Sequence, residues 1–119
     1  MDGRDDKVVG EVTGDDLLRA LAALANPQRL RVVAALAGGR NYVSQLAREL
    51  GISRPLLHLH LQRLEAAGLI YGTLELSPEG RAMRFYAVAP FALRLTPQIV
   101  AEAVQTLTVE QSTSQEESS

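Results

Sequence analysis

The chain of 119 residues contains no cysteine. Disulfides and thiolate-held metals are therefore excluded, and a reducing cytoplasm is the expected setting. Aromatic residues are scarce, 4% in all, with no tryptophan, so the core must come from Leu, Val and Ala. No apolar run approaches membrane-spanning length, and the acidic N-terminus does not resemble a signal peptide. There is no nucleophile–base–orienter set, no phosphate-cradling glycine loop and no paired acidic site, so no enzyme is expected. What remains is ordinary for a soluble globular domain, 46% apolar and 22% charged, and the length suits one domain with tails.

The net charge of −2 conceals a segregation. Residues 1–16 carry six acids and two bases. Residues 26–84 carry eight arginines against four glutamates, a net +4, and residues 102–119 carry four acids and no base. A basic middle between acidic ends suits a polyanion-binding face. Solvated surface charge is the plainer alternative.

The stretch 53–68, SRPLLHLHLQRLEAAG, organises the rest. Leu57, His60, Leu61 and Leu64 fall on one stripe at helical spacing, with Leu56 at its margin. Arg54, His58, Leu59 and Gln62 fall on the other side. Ser53 is a good N-cap, Pro55 sits in the first turn where proline is tolerated, and Gly68 suits a left-handed C-terminus. Upstream, 42–50 reads as a short amphipathic helix with Val43, Leu46, Ala47 and Leu50 inward. Ala47 is small where crossing helices approach, Gly51 suits the turn, and Ile52 fits between the helices. The pair reads as a helix-turn-helix with the second helix as reader of a DNA major groove; an ordinary helical hairpin is the alternative. His58 and His60 point to opposite sides of that helix and cannot share one ion. His60 reads as a half-buried packing residue, His58 as a contact.

Before this motif, 15–24 forms a helix with Leu17, Leu18, Leu21 and Leu24 as its apolar stripe. Asn26 caps a second helix that starts at Pro27, runs to about Ala37 and buries Leu30, Val33, Ala34 and Leu36 or Ala37. After the motif, 69–76 reads as a strand with Ile70, Leu74 and Leu76 alternating with polar neighbours. Ser77-Pro78-Glu79-Gly80 is a turn signal, and 83–88 is the returning strand. A hairpin directly after a recognition helix is a wing. Arg81 and Arg84 lie at or near its tip, for phosphates or a minor groove, or as edge protection. A last helix, capped by Thr96, spans 97 to about 109, with Ile99, Val100, Ala103, Val104 and Leu107 as its stripe. This stripe and that of the first helix exceed what a small core can hide, which suits a two-fold dimer seam. The expected domains are a flexible acidic tail at 1–14, a winged helix-turn-helix at 15–109 with terminal dimerisation helices, and a disordered polar tail at 110–119.

The order of these elements resembles the ArsR/SmtB family of bacterial repressors. The resemblance is carried by Leu24-Ala25-Asn26-Pro27-Gln28-Arg29-Leu30-Arg31, Val43-Ser44-Gln45-Leu46-Ala47, Leu61 with Leu64, Ala67-Gly68-Leu69-Ile70, Gly80-Arg81 and Phe85-Tyr86. It covers roughly residues 17–107. It implies a mainly α fold with a two-stranded hairpin wing, in the order α-α-α-α-β-β-α. It further implies a homodimeric DNA-binding regulator, a repressor, whose recognition helices enter successive major grooves of an inverted repeat. Many members release DNA on binding a metal ion. Where family sensors often carry Cys-Val-Cys, this chain has Tyr42-Val43-Ser44. Where others use Asp, His, His and Glu between the terminal helices, the corresponding positions are Thr96, Gln98, Val109 and either Glu110 or Gln111. Where members often have Ser-His-His or Ser-His-Gln, it has His58-Leu59-His60.

The resulting expectation is a homodimer on double-stranded DNA. Arg54, His58 and Gln62 face base edges; Ser44, Gln45, Arg63, Arg81 and Arg84, with the cap Ser53, complete the DNA-binding set. No cofactor or membrane is expected; a loosely held divalent ion, a small effector and a partner protein stay open. The alternatives are a winged-helix interaction module without DNA binding and a metal-responsive regulator with a site unlike the family's.

Overall fold

The computed structural model describes residues 7–8 and 13–108. Along them run β1 (Lys7–Val8), α1 (Gly14–Leu24), α2 (Pro27–Ala37), β2 (Asn41–Tyr42), α3 (Val43–Leu50), α4 (Arg54–Ala66), β3 (Ile70–Leu76), β4 (Ala82–Val88), β5 (Phe91–Ala92) and α5 (Pro97–Val104). They divide into two units. One is Ala20–Ala89; the other joins the chain up to Arg19 with the chain from Pro90. Of the tail expected over 1–14, only Lys7–Val8, Thr13 and Gly14 are among the described residues. The tail expected over 110–119 lies outside them.

In the larger unit, α4 packs against α2, α3 and the start of β3. Leu57, Leu61 and Leu64 are fully buried there, together with Val32, Leu36 and Leu46. Asn26 caps α2 as its sequence suggests, its side-chain oxygen accepting from the N–H groups of Gln28 at 2.8 Å and Arg29 at 3.1 Å. The buried stripe of α2 differs from the expected one. Val32 and Leu36 are inside, whereas Leu30 is 53% exposed and Ala34 and Ala37 face outward. The cause is Arg29, which lies on the inward side because its guanidinium reaches main-chain carbonyls of α1. An arginine in a sequence suggests an outer face, so the stripe is displaced by about one position.

The expected hairpin wing is formed by β3 and β4, and β2 adds a third antiparallel strand, in the order β2-β4-β3. Asn41 pairs with Tyr86 and Tyr42 with Phe85; β3 and β4 pair from Ile70–Val88 to Leu76–Ala82. Tyr42, expected to open the helix, instead has extended backbone at the N-cap of α3. Its ring stands edge-on to Phe85 with centroids 5.6 Å apart, and aromatic pairs of this kind outweigh one more helical residue. Ile70 and Tyr86 are buried at the base of the wing, but Leu74 is 64% and Leu76 73% exposed. Alternation identifies one face of a strand; it does not say how far the body beneath extends.

In the second unit β1 pairs in parallel with β5, Lys7 with Phe91 and Val8 with Ala92. Helix α1 begins one residue early, at Gly14, with Thr13 as cap: its hydroxyl accepts from the Asp16 N–H at 3.1 Å. Gly14 lies against α5 so closely that a Cβ would stand 2.1 Å from the Ala103 carbonyl oxygen, which only glycine permits. Its N–H donates to the Thr106 hydroxyl at 2.7 Å, and the Thr108 N–H donates to Asp15 at 2.9 Å, with a second, shorter bond from the Thr108 hydroxyl. Helix α5 is capped by Thr96, which accepts from the Ile99 N–H at 3.0 Å. It ends at Val104, short of the expected 109, and Leu107 lies beyond it. The Thr106 hydroxyl turns back to the Ala103 carbonyl there.

Replacing Leu61 by Ala removes a fully buried side chain from the contact between α4 and its support. It should lower unfolding free energy by about 2–5 kcal/mol, read from urea denaturation followed by circular dichroism.

Candidate nucleic-acid interface

Two backbone features set the angle between α3 and α4. Gly51 takes φ 69°, ψ 33°, a left-handed conformation that a side chain would oppose. The Ile52 N–H then returns to the Ala47 carbonyl at 3.1 Å. Ser53 caps the second helix, accepting from the Leu56 N–H at 3.2 Å, and its own O–H is left to donate. With Leu57, His60, Leu61 and Leu64 inside, Arg54, His58, Leu59, Gln62 and Arg63 are all exposed on α4.

The other expected contacts divide. Ser44 is half-buried and, with Ala47, Arg48, Gly51, Ile52 and Arg54, lines a shallow open concavity between the two helices. Arg48 was not among the expected residues. Its signal was available, because it lies four residues after Ser44 on the same helix face and is exposed. Gln45 is half-buried and donates to Glu49 at 2.9 Å. Glu49 also accepts from Asn41 at 3.3 Å. Arg81 closes the wing turn, its N–H donating to the Ser77 hydroxyl at 3.0 Å, with its side chain exposed. Arg84 stands opposite Leu74 on β4 and is exposed. Burial raises the pKa of the Tyr86 phenol.

Sequence reasoning also missed a latch at the other face of the wing. Arg40 pairs with both carboxylate oxygens of Glu75, one bond at 3.1 Å and one shorter. Its guanidinium carbon lies 4.3 Å from the centre of the Phe85 ring. The hydrogen bond from Arg40 holds the Glu75 carboxyl below its ordinary pKa. This ties the far part of β3 to the residue that precedes β2, and β2 leads directly into α3. The wing's arginines and the helix-turn-helix are thereby held in one frame. The residues involved are 35 apart in sequence, with no local pattern to link them.

Arg29 makes a second connection. Its Nε donates to the Ala23 carbonyl at 2.6 Å and Nη2 to the Ala22 carbonyl at 3.4 Å, a cation on the last carbonyls of α1. Its Nη1 lies 3.3 Å from Nδ1 of His60. A guanidinium only donates, so Nδ1 is the acceptor and the imidazole proton sits on Nε2. His60, 8% exposed, is thus more buried than its sequence suggested. Burial, then the positive charges of Arg29 and Arg63, lower its pKa.

The family model described as bacterial regulatory protein, arsR family, matches residues 26–71. An uncharacterized HTH-type transcriptional regulator of Methanocaldococcus jannaschii is 33% identical over 85 residues, which are 71% of this chain and 88% of that protein. The chain belongs to the ArsR family. As an ArsR-family protein it is a DNA-binding transcriptional regulator and not an enzyme. The regulator CmtR of Mycobacterium tuberculosis is 40% identical over 79 residues, 66% of this chain and 63% of CmtR, so this chain spans just under two-thirds of that relative. The solved structure of that protein, described as a cadmium metal-sensor, matches at TM-score 0.50 and 34% identity, covering 78% of this chain and 84% of that one. A homodimeric winged helix-turn-helix DNA-binding domain from Mycobacterium bovis matches at TM-score 0.57 and 23% identity, over 87% of this chain and 82% of that one, and shares the fold.

The ArsR-type metal positions do not fit a soft ion here. Tyr42 is engaged with Phe85, the half-buried Ser44 offers a hydroxyl in place of a thiolate, and the Thr96 hydroxyl is spent on the α5 cap. Val109, Glu110 and Gln111 lie outside the described residues. Among the described residues no three His, Asp or Glu side chains converge, and no helix is long and apolar enough to cross a membrane.

The lowered pKa of His60 gives a pH prediction. Below its ordinary value near 6.5 the unfolded chain takes up a proton that the native chain resists, so stability is full above that pH and lost on acidification. The thermal midpoint should stay level from pH 8 to 7 and decline below about 6.5. His60→Asn should remove part of that decline.

Proposed function

We propose that this regulator is a homodimer that represses by binding an inverted-repeat operator in the cytoplasm. The observation that carries the reading is the division of α4 into a buried leucine face and an exposed face bearing Arg54, His58, Gln62 and Arg63. Arg54, His58 and Gln62 read base edges. Ser44, Gln45, Arg48, Ser53, Arg63, Arg81 and Arg84 position the protein on phosphates. Gln45 keeps a second amide N–H for this beside its bond to Glu49.

The dimer seam consists of Leu17, Leu18, Leu21 and Leu24 with Ile99, Val100, Ala103, Val104 and Leu107. Support comes from incomplete burial. Leu17 is buried and Leu21, Leu24, Ile99, Ala103 and Leu107 are half-buried, but Leu18, Val100 and Val104 remain 43%, 45% and 56% exposed. No residue of α5 is buried. An apolar helix left this open needs a second surface. The cadmium response named for the mycobacterial relative does not transfer. A tight site for a soft ion draws on thiolates, and this chain has none.

The contacts predict separable effects in gel shifts against an operator selected from random DNA. Arg54→Ala should weaken binding by about 1–3 kcal/mol and relax preference at one base pair. Arg81→Ala should weaken all sequences alike and reduce the salt slope by about one. Normal affinity and specificity in Arg54→Ala would remove α4 from the DNA. For the seam, Val104→Glu should yield monomers or unfolded chain in sedimentation; a stable wild-type monomer at micromolar concentration would rule the dimer out.

A further inference from the structure

The outward face of α4 has an apolar centre. Pro55, Leu59, Gln62 and Ala66 follow one another at four, three and four residues, and all are exposed. That spacing makes one line along a helix, opposite the buried line of Leu57, Leu61 and Leu64. Arg54 and His58 lie to one side of it, and Arg63 to the other. Leu59 and Gln62 thus lie between Arg54 and His58 on one side and Arg63 on the other. The two longest side chains that point straight outward are Leu59 and Gln62. Leu59 is 56% exposed, the most exposed leucine of the helix, on the face that meets a duplex.

A leucine in that position has few partners. Base edges in a major groove present donors, acceptors and one apolar group, the 5-methyl of thymine. Leu59 and Gln62 are three residues apart, about 4.5 Å along a helix axis, within reach of neighbouring base pairs stacked about 3.4 Å apart. A glutamine amide pairs in two-point fashion with adenine. We propose that Leu59 is a specificity-determining residue that reads a thymine methyl in each half-site, with Gln62 on the neighbouring adenine. The inference rests on α4 being the recognition helix and goes beyond it, by naming the base and the atom recognised.

The test uses the full chain and a duplex enriched from a random-sequence pool by that chain. Each thymine is replaced in turn by deoxyuridine, which differs only in lacking the methyl. Replacing the thymine read by Leu59 should weaken wild-type binding about fourfold per half-site, the factor matching ~0.8 kcal/mol for one buried methyl group. Leu59→Ala should bind the unmodified duplex about fourfold more weakly per half-site and be indifferent to that replacement. Leu59→Met, which keeps an apolar reach, should retain the sensitivity. Leu59 is exposed, so Leu59→Ala should keep the wild-type circular dichroism spectrum and melting temperature. If a duplex is enriched, Arg54→Ala and Gln62→Ala bind it poorly, and no deoxyuridine separates wild type from Leu59→Ala, the thymine contact is overturned and the recognition helix stands. If no duplex is enriched, or Arg54→Ala and Gln62→Ala bind it as wild type does, the recognition helix itself is overturned, and the role of Leu59 with it.

Discussion

The burial of Leu57, Leu61 and Leu64 against α2 and α3 fixes the rotation of α4 about its own axis. A helix has one direction in which it can bury an apolar stripe, and rotating it by one residue would expose leucine and bury arginine, both unfavourable. Every group on the outward side inherits its direction from that constraint. Arg54, His58, Leu59, Gln62 and Arg63 need no contacts of their own to be aimed. Their side chains are exposed while the backbone beneath them is anchored by the buried leucines.

The same economy holds around the helix. His60 belongs to the buried stripe, yet it is polar, and burial of a polar group needs a partner. Arg29 supplies it and at the same time closes the C-terminal carbonyls of α1. One side chain therefore joins the end of the first helix to the buried side of α4. The wing is held by another long-range arginine, Arg40, against Glu75 and the Phe85 ring. In a domain with so few aromatics, the Tyr42–Phe85 pair and the Arg40 cation above it supply packing that leucines supply elsewhere.

Membership of the ArsR family explains the order of elements, while the residues explain what this member keeps and lacks. The capped Asn26-Pro27 helix, the Gly51 turn and the Ser53 cap are present in working form. The position that holds a soft-metal motif in family sensors is given over to packing, with Tyr42 against the wing. Helix α4 carries the exposed Leu59 at its outward centre, so the departures fall on motif positions and leave the scaffold intact.

The sequence by itself determined the α helices, the caps of α2, α4 and α5, the left-handed turn, the inward stripe of α4 and the hairpin. Each depends on residues within a few positions of one another, where periodicity and capping chemistry act directly. The tertiary structure alone decided what distant residues do together. It turned Arg29 inward on α2, made Tyr42 the end of a third strand, left Leu74 and Leu76 outside the body, ended α5 at Val104 and joined Arg40 to Glu75. In each case a partner far along the chain supplied more stabilisation than the local preference did, and no local pattern records where that partner will be.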